Sequence, residues 1–150
     1  ACGLTEAERL IERPVINCHH NFTERENHHG RNVWLTRKGA IRARAGDRGV
    51  IPGSMGTRSY IVSGLGIPAS YCSCSHGAGR RLSRGQARRQ LTVESFEKAM
   101  AGKTWLSANA DALLDEHPDS YKDIDQVMAD QSDLVTVEHT LRQVLNYKGL

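Results

Sequence analysis

The fold of this chain is decided by "VINCHHNFTERENHHGRNVWLTRKGAIRARAG", residues 15–46, in which two extended segments flank a turn-like break. The first segment is "VINCHHNFTERE" and the second is "VWLTRKGAIRARAG", with "NHHGRN" between them. Extended segments joined by a short break that contains glycine are typical of a β-hairpin. We therefore predict an antiparallel strand pair from Val15 to about Arg44.

Outside this region, strands are predicted mainly before residue 80 and helices after it. Further strands are predicted at "SYIVS" (59–63), "SYCSCSH" (70–76) and "LVTVEHTLRQVLNYK" (134–148). Helices are predicted at residues 5–11, where Thr5 and Glu8 form a capping box, within 82–90, at about 92–102, at "ADALLDEH" (110–117) and at "DIDQVMADQ" (123–131). Without βαβ alternation, this order predicts an α+β fold with mixed or antiparallel sheets in the first half and helices mostly in the second.

The length and composition are those of one domain. The 150 residues can bury a core, and no apolar run is long enough to span a membrane. The four cysteines lack the spacing of a disulfide framework, so we expect reduced thiols. With no signal-peptide pattern at the start of the sequence, we expect a cytoplasmic protein with no membrane partner.

Charge divides the chain into a basic and an acidic half. Residues 1–89 carry 15 Lys and Arg against 6 Asp and Glu, and residues 90–150 carry 5 against 11. Arginine outnumbers lysine fifteen to five, and its planar guanidinium binds phosphate in a bidentate manner. The basic half therefore suits a polyanion such as RNA, although a merely solvated basic face is the alternative.

The segment "SHGAG" (75–79) combines a histidine with two glycines. Exposed amides at Gly77 and Gly79 can bind an anion, and a neutral imidazole at His76 can attack phosphorus. A structural histidine at the end of a strand is the alternative. Because strand side chains alternate, Cys72, Cys74 and His76 share one face, which permits a soft metal ion, although small residues in an ordinary strand are favoured.

The other histidines and one loop give weaker signals. His19 and His20 face opposite sides of a strand, so only one of them can join a given site, and spacing does not decide which. We expect His28 and His29 to be solvated in a turn, His117 to end a helix and His139 to lie on a strand face. The loop "IPGSMGTRSY" (51–60) can surround a nucleotide with amides and hydroxyls or be a plain surface loop.

Taken together, six segments carry a family resemblance. They are "INCHHNF" (16–22), "TRKGAIRARAG" (36–46), "IPGSMGTRSYIV" (51–62), "SCSHGAGRRLSR" (73–84), "SYKDIDQVM" (120–128) and "LRQVLNYKG" (141–149). In this order and at these separations, they resemble the C-terminal portion of the RNA-splicing ligase RtcB family, in its bacterial form. The resemblance covers nearly all of the chain from Ile16 onward and implies that residues 1–150 are the C-terminal portion of such a ligase domain.

The resemblance implies a ligase that depends on GTP and manganese and joins an RNA 3′-phosphate or 2′,3′-cyclic phosphate to a 5′-hydroxyl. It implies that His76 is the guanylylated catalytic residue and that His20 is a ligand to one of two Mn²⁺ ions. Arg80 and Arg84 are implied to hold RNA phosphates. The implied guanylate-binding residues are His20, Asn21, Pro52, Gly53, Ser54, Met55, Ser59, His76, Gly77, Ala78, Gly79, Tyr121 and Lys148.

The same resemblance implies that this chain is incomplete. The segments that carry the other metal ligands of the family have no counterpart here, so we expect the chain alone to be inactive and to need the N-terminal portion as a partner. The RNA that is joined and the need for an archease-type activator stay open. A non-catalytic basic RNA-binding module is the alternative function, and a soft-metal module is a third.

Overall fold

The first two strands of the structure form a long hairpin. The computed structural model describes residues 15–148, with β1 at Asn21–His28 and β2 at Arg31–Lys38. Their antiparallel register runs from Asn21 opposite Lys38 to His28 opposite Arg31. The connecting residues His29 and Gly30 have φ angles of 51° and 76°, as a tight hairpin turn requires. The predicted strand pair is confirmed, but β1 begins at Asn21 rather than at Val15.

The remaining strands form three small sheets. The strand β3 (Ala40–Arg42) pairs antiparallel with β6 (Ser73–Ser75). The strands β4 (Arg48–Pro52), β5 (Ser59–Gly64) and β8 (Val135–Leu141) form an antiparallel sheet with β5 in the centre. Two short strands, β7 (Thr104–Trp105) and β9 (Leu145–Asn146), pair in parallel. The predicted strand over 134–148 is therefore divided into β8 and β9.

Three short helices follow in the second half, and the predicted α+β class is confirmed. They are α1 (Arg84–Gln90), α2 (Val93–Ala99) and α3 (Ile124–Asp130). Ser83 and Thr92 begin α1 and α2 as capping boxes, in which each side chain accepts from a backbone N–H and the third helical residue caps in return. The helix predicted at residues 5–11 lies outside the described residues.

Two predicted elements differ in the structure. "ADALLDEH" forms turns and one 3₁₀ turn, Leu114–Glu116, instead of an α-helix. His117 precedes Pro118 and is extended, with ψ of 134°, because the proline ring disfavours helical geometry in the residue before it. The strand predicted at 70–76 is reduced to β6, since Tyr71 and Cys72 adopt left-handed φ angles of 54° and 48°.

Two hydrophobic clusters hold these elements together. The larger cluster packs the sheets against α3 and includes Ile41, Ile51, Tyr60, Val62, Cys74, Ala78, Ile124, Met128 and Val135. The smaller cluster joins α2 to the following turns through Met55, Phe96, Met100, Ala110, Leu113 and Leu114. Because Ala78 belongs to the larger cluster, the "SHGAG" loop is anchored directly to the main core.

A buried charged network fixes the inner face of the hairpin. Arg37 forms an ion pair with Glu26, and its guanidinium also donates to Ser73 Oγ at 2.9 Å and to Tyr71 O at 3.1 Å. His28 bonds Glu26 Oε2 at 2.9 Å and is buried, so the prediction that His28 is solvated is wrong. Alternation along β1 places residues 26 and 28 on the same inward face.

Helices that could cross a membrane are not found in residues 15–148, where none is both long and apolar enough. The cytoplasmic location stays a prediction.

Candidate active site

The "SHGAG" loop has a fixed conformation. Ser75 Oγ donates to Gly77 O at 2.6 Å, and Ser75 N–H donates to Gln131 Oε1 of the α3 terminus at 2.9 Å. Ala78 N–H donates to Pro52 O at 3.0 Å. A Cβ on Gly77 would lie 3.0 Å from the same Pro52 oxygen, so only glycine fits without a shift. The loop and the end of β4 therefore form one rigid unit.

The ring of His76 is held by a backbone carbonyl. His76 Nδ1 lies 2.7 Å from Gly39 O, and because a carbonyl oxygen can only accept, Nδ1 carries the proton. In the neutral ring this leaves the lone pair on Nε2, which is the form needed for attack on an electrophile. His76, Gly77 and Gly79 line an open cavity of about 390 Å³.

A second histidine lies against the first. The rings of His20 and His76 are stacked, with centroids 5.1 Å apart and planes at 21°. His19 instead lies edge-on to Phe22, at 6.1 Å. Because β1 begins only at Asn21, His20 lies in a bend, and Gly39 N–H donates to its carbonyl oxygen at 2.9 Å. The structure thus places His20, rather than His19, beside His76, a choice that the spacing of the residues left open.

Tyr121 and Lys148 meet around an acid that the sequence did not single out. Glu116 Oε2 accepts from Tyr121 Oη at 2.7 Å and from Lys148 Nζ at 2.8 Å. Burial alone would raise the pKa of Glu116, but the hydrogen bonds from Lys148 and Tyr121 outweigh it and keep the pKa below the usual value. Burial, together with Glu116, raises the pKa of Tyr121 to about 12. The pair thus consists of a carboxylate and a neutral phenol at neutral pH.

Arg80 joins this cluster to the "SHGAG" loop. Its guanidinium lies 4.9 Å from the centre of the Tyr121 ring and donates to Tyr121 Oη at 3.1 Å and to Asp115 O. Lys122 N–H donates to Gly79 O at 3.0 Å. The structure therefore joins Gly79 and Arg80, at the end of the loop that begins with His76, to the cluster of Tyr121, Glu116 and Lys148.

The predicted guanylate-binding residues of the 52–59 loop differ in burial and in which of their atoms a ligand could reach. Ser54 is buried and its Oγ lies 3.0 Å from Thr57 Oγ1, while the Met55 side chain packs in the smaller core cluster. Only the backbone of Met55 is thus left for a ligand, and its carbonyl accepts from Asn146 Nδ2 at 3.0 Å. The other predicted residues here lie at strand ends or tight turns: Asn21 opens β1, Pro52 ends β4, Ser59 opens β5, and Gly53 has no room for a Cβ.

The two arginines predicted to bind RNA differ in availability. Arg84, at the start of α1, has a side chain that is 73% exposed and lies 3.4 Å from Asp115 Oδ2. The Arg80 side chain is only 24% exposed and is held by the contacts described above. Of the two, Arg84 is the one that presents its guanidinium to solvent.

The described residues do not form a metal site on their own. Among residues 15–148 there is no group of three His, Cys, Asp or Glu side chains placed to hold an ion. The soft-metal hypothesis is wrong, because Cys72 lies in a left-handed turn and Cys74 is buried, and burial, with Cys18 nearby, raises the pKa of Cys74 to about 12. The three described cysteines, Cys18, Cys72 and Cys74, are free thiols, as expected.

Sequence reasoning missed three residues that organise the site. They are Gly39, which holds His76, Gln131, which holds Ser75, and Glu116, which holds Tyr121 and Lys148. Gly39 has a φ of 75°, and a glycine between two strand patterns is a signal that could have marked this position. Gln131 and Ser75 are 56 residues apart, so no local pattern marks their contact. Glu116 lies near Tyr121 in the sequence but far from Lys148, and its segment was predicted as a helix.

Comparison with known proteins now supplies the family. The model of the family described as tRNA-splicing ligase RtcB matches residues 3–149. The chain belongs to the RtcB family.

The similar RtcB proteins come from bacteria and archaea. The chain is 55% identical over 135 residues to the RNA-splicing ligase RtcB of Escherichia coli K12, covering 89% of this chain and 32% of that protein. It is 34% identical over 152 residues to the RNA-splicing ligase RtcB of Mycobacterium tuberculosis, and the match covers 83% of this chain and 35% of that protein. The tRNA-splicing ligase RtcB of Methanococcus maripaludis is 33% identical over 144 residues, and the match covers 82% of this chain and 30% of that protein. The chain thus spans about a third of the length of these relatives.

Proposed function

We propose that this chain carries the nucleotide-transfer centre of a GTP-dependent RNA ligase and is the C-terminal portion of that enzyme. The observation that carries the proposal is the His76 ring, whose Nδ1 is bound to Gly39 O, 2.7 Å away, so that the lone pair of Nε2 is free to react. Membership of the RtcB family supports RNA as the substrate.

The reaction proceeds in three steps. His76 Nε2 attacks the α-phosphorus of GTP, a P–N bond forms, and pyrophosphate leaves. An oxygen of the RNA 3′-phosphate then attacks the same phosphorus, so GMP passes to the RNA and the imidazole is released. Finally, the 5′-hydroxyl of the second RNA end attacks the 3′-phosphorus, loses its proton, and displaces GMP as the phosphodiester bond forms. A 2′,3′-cyclic phosphate must first be hydrolysed to the 3′-phosphate.

The chain's own residues bind and orient the guanylate. The N–H of Gly79 lies beside His76, where it can donate to the α-phosphate, whereas the N–H of Gly77, which was also expected to be exposed, is buried and donates to Ser75 Oγ at 3.3 Å. Tyr121 and Lys148 contact the guanine base, the tyrosine by its ring and the lysine as a donor. Their common partner Glu116 fixes both groups in place.

The family implies two Mn²⁺ ions, and His20 is the residue of this chain proposed to hold one. Such ions would neutralise charge that develops on the phosphates. A single imidazole does not make a site, and the described residues supply no further cluster of donors. The remaining ligands must therefore come from the rest of the enzyme.

The test is guanylylation of the complete protein with labelled GTP and Mn²⁺. Replacing His76 with alanine is expected to abolish acid-labile labelling and to leave RNA binding nearly intact, because binding depends on the arginines. His139→Ala is the matched control, since this exposed histidine lies on β8 and is expected to leave labelling unchanged. Normal labelling of the His76 variant would show that another residue is the nucleophile.

The second candidate is a basic module that binds RNA without chemistry. The surplus of Lys and Arg in residues 1–89, 15 against 6 acids, is the observation that favours it. The same experiment separates the two functions. RNA binding without any labelling of the unmodified protein would support the module.

A further inference from the structure

The hairpin of β1 and β2 has an outer face that the core does not cover. Three cross-strand pairs define it: Thr23 with Thr36, Arg25 with Trp34, and Asn27 with Asn32. Thr23 Oγ1 and Thr36 Oγ1 are 2.9 Å apart, and Asn27 Nδ2 donates to Asn32 Oδ1 at 3.0 Å, so these side chains point to the same side. All six residues are exposed. We call these six residues the outer face.

Among the six residues of the outer face, none is acidic and one, Arg25, is positively charged. Because strand side chains alternate, Glu24 and Glu26 point to the opposite side of β1, whereas Arg25 points outward. Lys38 continues the same side of β2 beyond Trp34 and Thr36. The face is therefore positive and rich in amide and hydroxyl groups, as suits the phosphates, sugars and base edges of a nucleic acid.

Trp34 projects from the centre of this face with 74% of its surface exposed. The other tryptophan, Trp105, packs against Phe96 at 4.8 Å and belongs to the smaller core cluster. A large aromatic ring beside an arginine on a sheet surface is the arrangement on which bases of single-stranded nucleic acids stack. The buried Arg37 and Glu26 pair holds the hairpin from beneath, which makes the surface rigid.

The outer face also leads to the candidate nucleophile. Lys38 and its partner Asn21 form the last pair of the hairpin, at the end opposite the turn. The adjoining residues of the chain are Gly39 and His20, and both contact His76. Trp34 is four residues from Lys38, or about 14 Å along the strand at about 3.4 Å per residue. A strand that lies along the outer face past Lys38 would therefore reach the end of the hairpin that is continued by Gly39 and His20, the two residues in contact with His76.

We propose that the outer face is the platform for a single-stranded RNA end, with one base stacked on Trp34 and the backbone contacting Arg25 and Lys38. The proposal rests on the function proposed above, because it names the surface along which the RNA substrate of that site lies. The ligand is recognised by its stacked bases and phosphates rather than by its sequence.

The experiment follows Trp34 fluorescence in the complete protein during titration with a single-stranded RNA of about ten nucleotides. Base stacking is expected to quench Trp34 emission, and the quenching should disappear in Trp34→Phe, which keeps an aromatic ring and binds RNA within about twofold of the unmodified protein. Trp34→Ala is expected to weaken RNA binding by about 5-fold to 150-fold. Because the side chain is exposed, the melting temperature should stay unchanged.

A charge-matched pair tests the electrostatic part. Arg25→Gln should reduce the slope of log K against log salt by about 0.7, as expected for one lost phosphate contact on a single strand. Lys98→Gln removes the same charge from α2, beside Glu94 and Glu97, and should leave the slope unchanged. Equal effects of the two variants would overturn the assignment of Arg25.

Two other results would overturn the platform itself. The first is RNA binding with no change in Trp34 emission. The second is a Trp34 that iodide cannot quench in the complete protein without RNA, since the rest of the enzyme would then cover this face. Guanylylation of His76 is measured in parallel. Labelling without quenching rejects the platform and keeps the ligase, whereas quenching without labelling keeps an RNA-binding surface and rejects the proposed chemistry.

Discussion

Replacing Glu26 with glutamine is expected to destabilise the hairpin strongly and to change how stability depends on pH. The Glu26 side chain is 1% exposed and pairs with Arg37, which is equally buried. Removing one partner of a buried ion pair leaves the other charge uncompensated, at a cost of about 3–5 kcal/mol in the free energy of unfolding. The measurement is urea denaturation of both proteins at pH 7.

The pH dependence gives an independent magnitude. The hydrogen bond from Arg37 is the main cause that lowers the pKa of Glu26 from 4.5 to about 2, against the opposing effect of burial. A lowered carboxyl pKa stabilises the fold above pH 4.5, and that contribution is lost as the pH falls towards 2. A shift of this size corresponds to about 3 kcal/mol. The difference in stability between the two proteins should therefore shrink over this pH range.

Glu24→Gln is the matched control on the same strand. The Glu24 side chain is 40% exposed and lies 3.6 Å from Arg42, so its loss should cost less than about 1 kcal/mol. A Glu26→Gln variant as stable as this control would show that the ion pair of Glu26 with Arg37 does not stabilise the hairpin. A stability difference that stays constant from pH 7 down to pH 3 would show that Glu26 does not have the lowered pKa.

Four further predictions concern the candidate site and the core. Arg84→Ala should weaken RNA binding and lower the salt slope by about 0.7, measured by titration at several salt concentrations, because its guanidinium is exposed. Glu116→Gln should weaken GTP binding measured by calorimetry, since Tyr121 and Lys148 lose their common partner. Iodoacetamide at pH 8 should label Cys72 before Cys74, as mass spectrometry of the folded chain would show, because burial raises the pKa of Cys74 to about 12. The isolated chain should fail to form the His76 adduct with labelled GTP and should recover it when the remainder of the enzyme is added.

The hairpin could be predicted from the sequence, but its inner charges could not. The two extended segments and the glycine-containing break between them are local signals, and they predicted the pairing of β1 and β2, although β1 begins later than expected, at Asn21. Charged residues on such strands are ordinarily solvated, so nothing local distinguished Glu26 and Arg37 from their exposed neighbours. Their burial follows from packing against Ser73 and Tyr71, which lie far away in the sequence.

The candidate site, like the hairpin, could be predicted from the sequence only in part. Glycine-rich composition indicated an anion loop at "SHGAG", and the family resemblance, rather than spacing, selected His20 over His19. The stacking of His20 on His76 confirms that these two histidines lie together, while their chemical roles stay predictions. Glu116 was missed because its segment was predicted as a helix, and the extended residue before Pro118 gives that segment a different path.

Gly39 serves two histidines with one residue. Its N–H binds the carbonyl of His20, and its own carbonyl binds the ring of His76. A displacement of the end of β2 would therefore carry both rings in the same direction and preserve their spacing. Through these two hydrogen bonds of Gly39, the position of the hairpin end is coupled to the positions of both imidazoles.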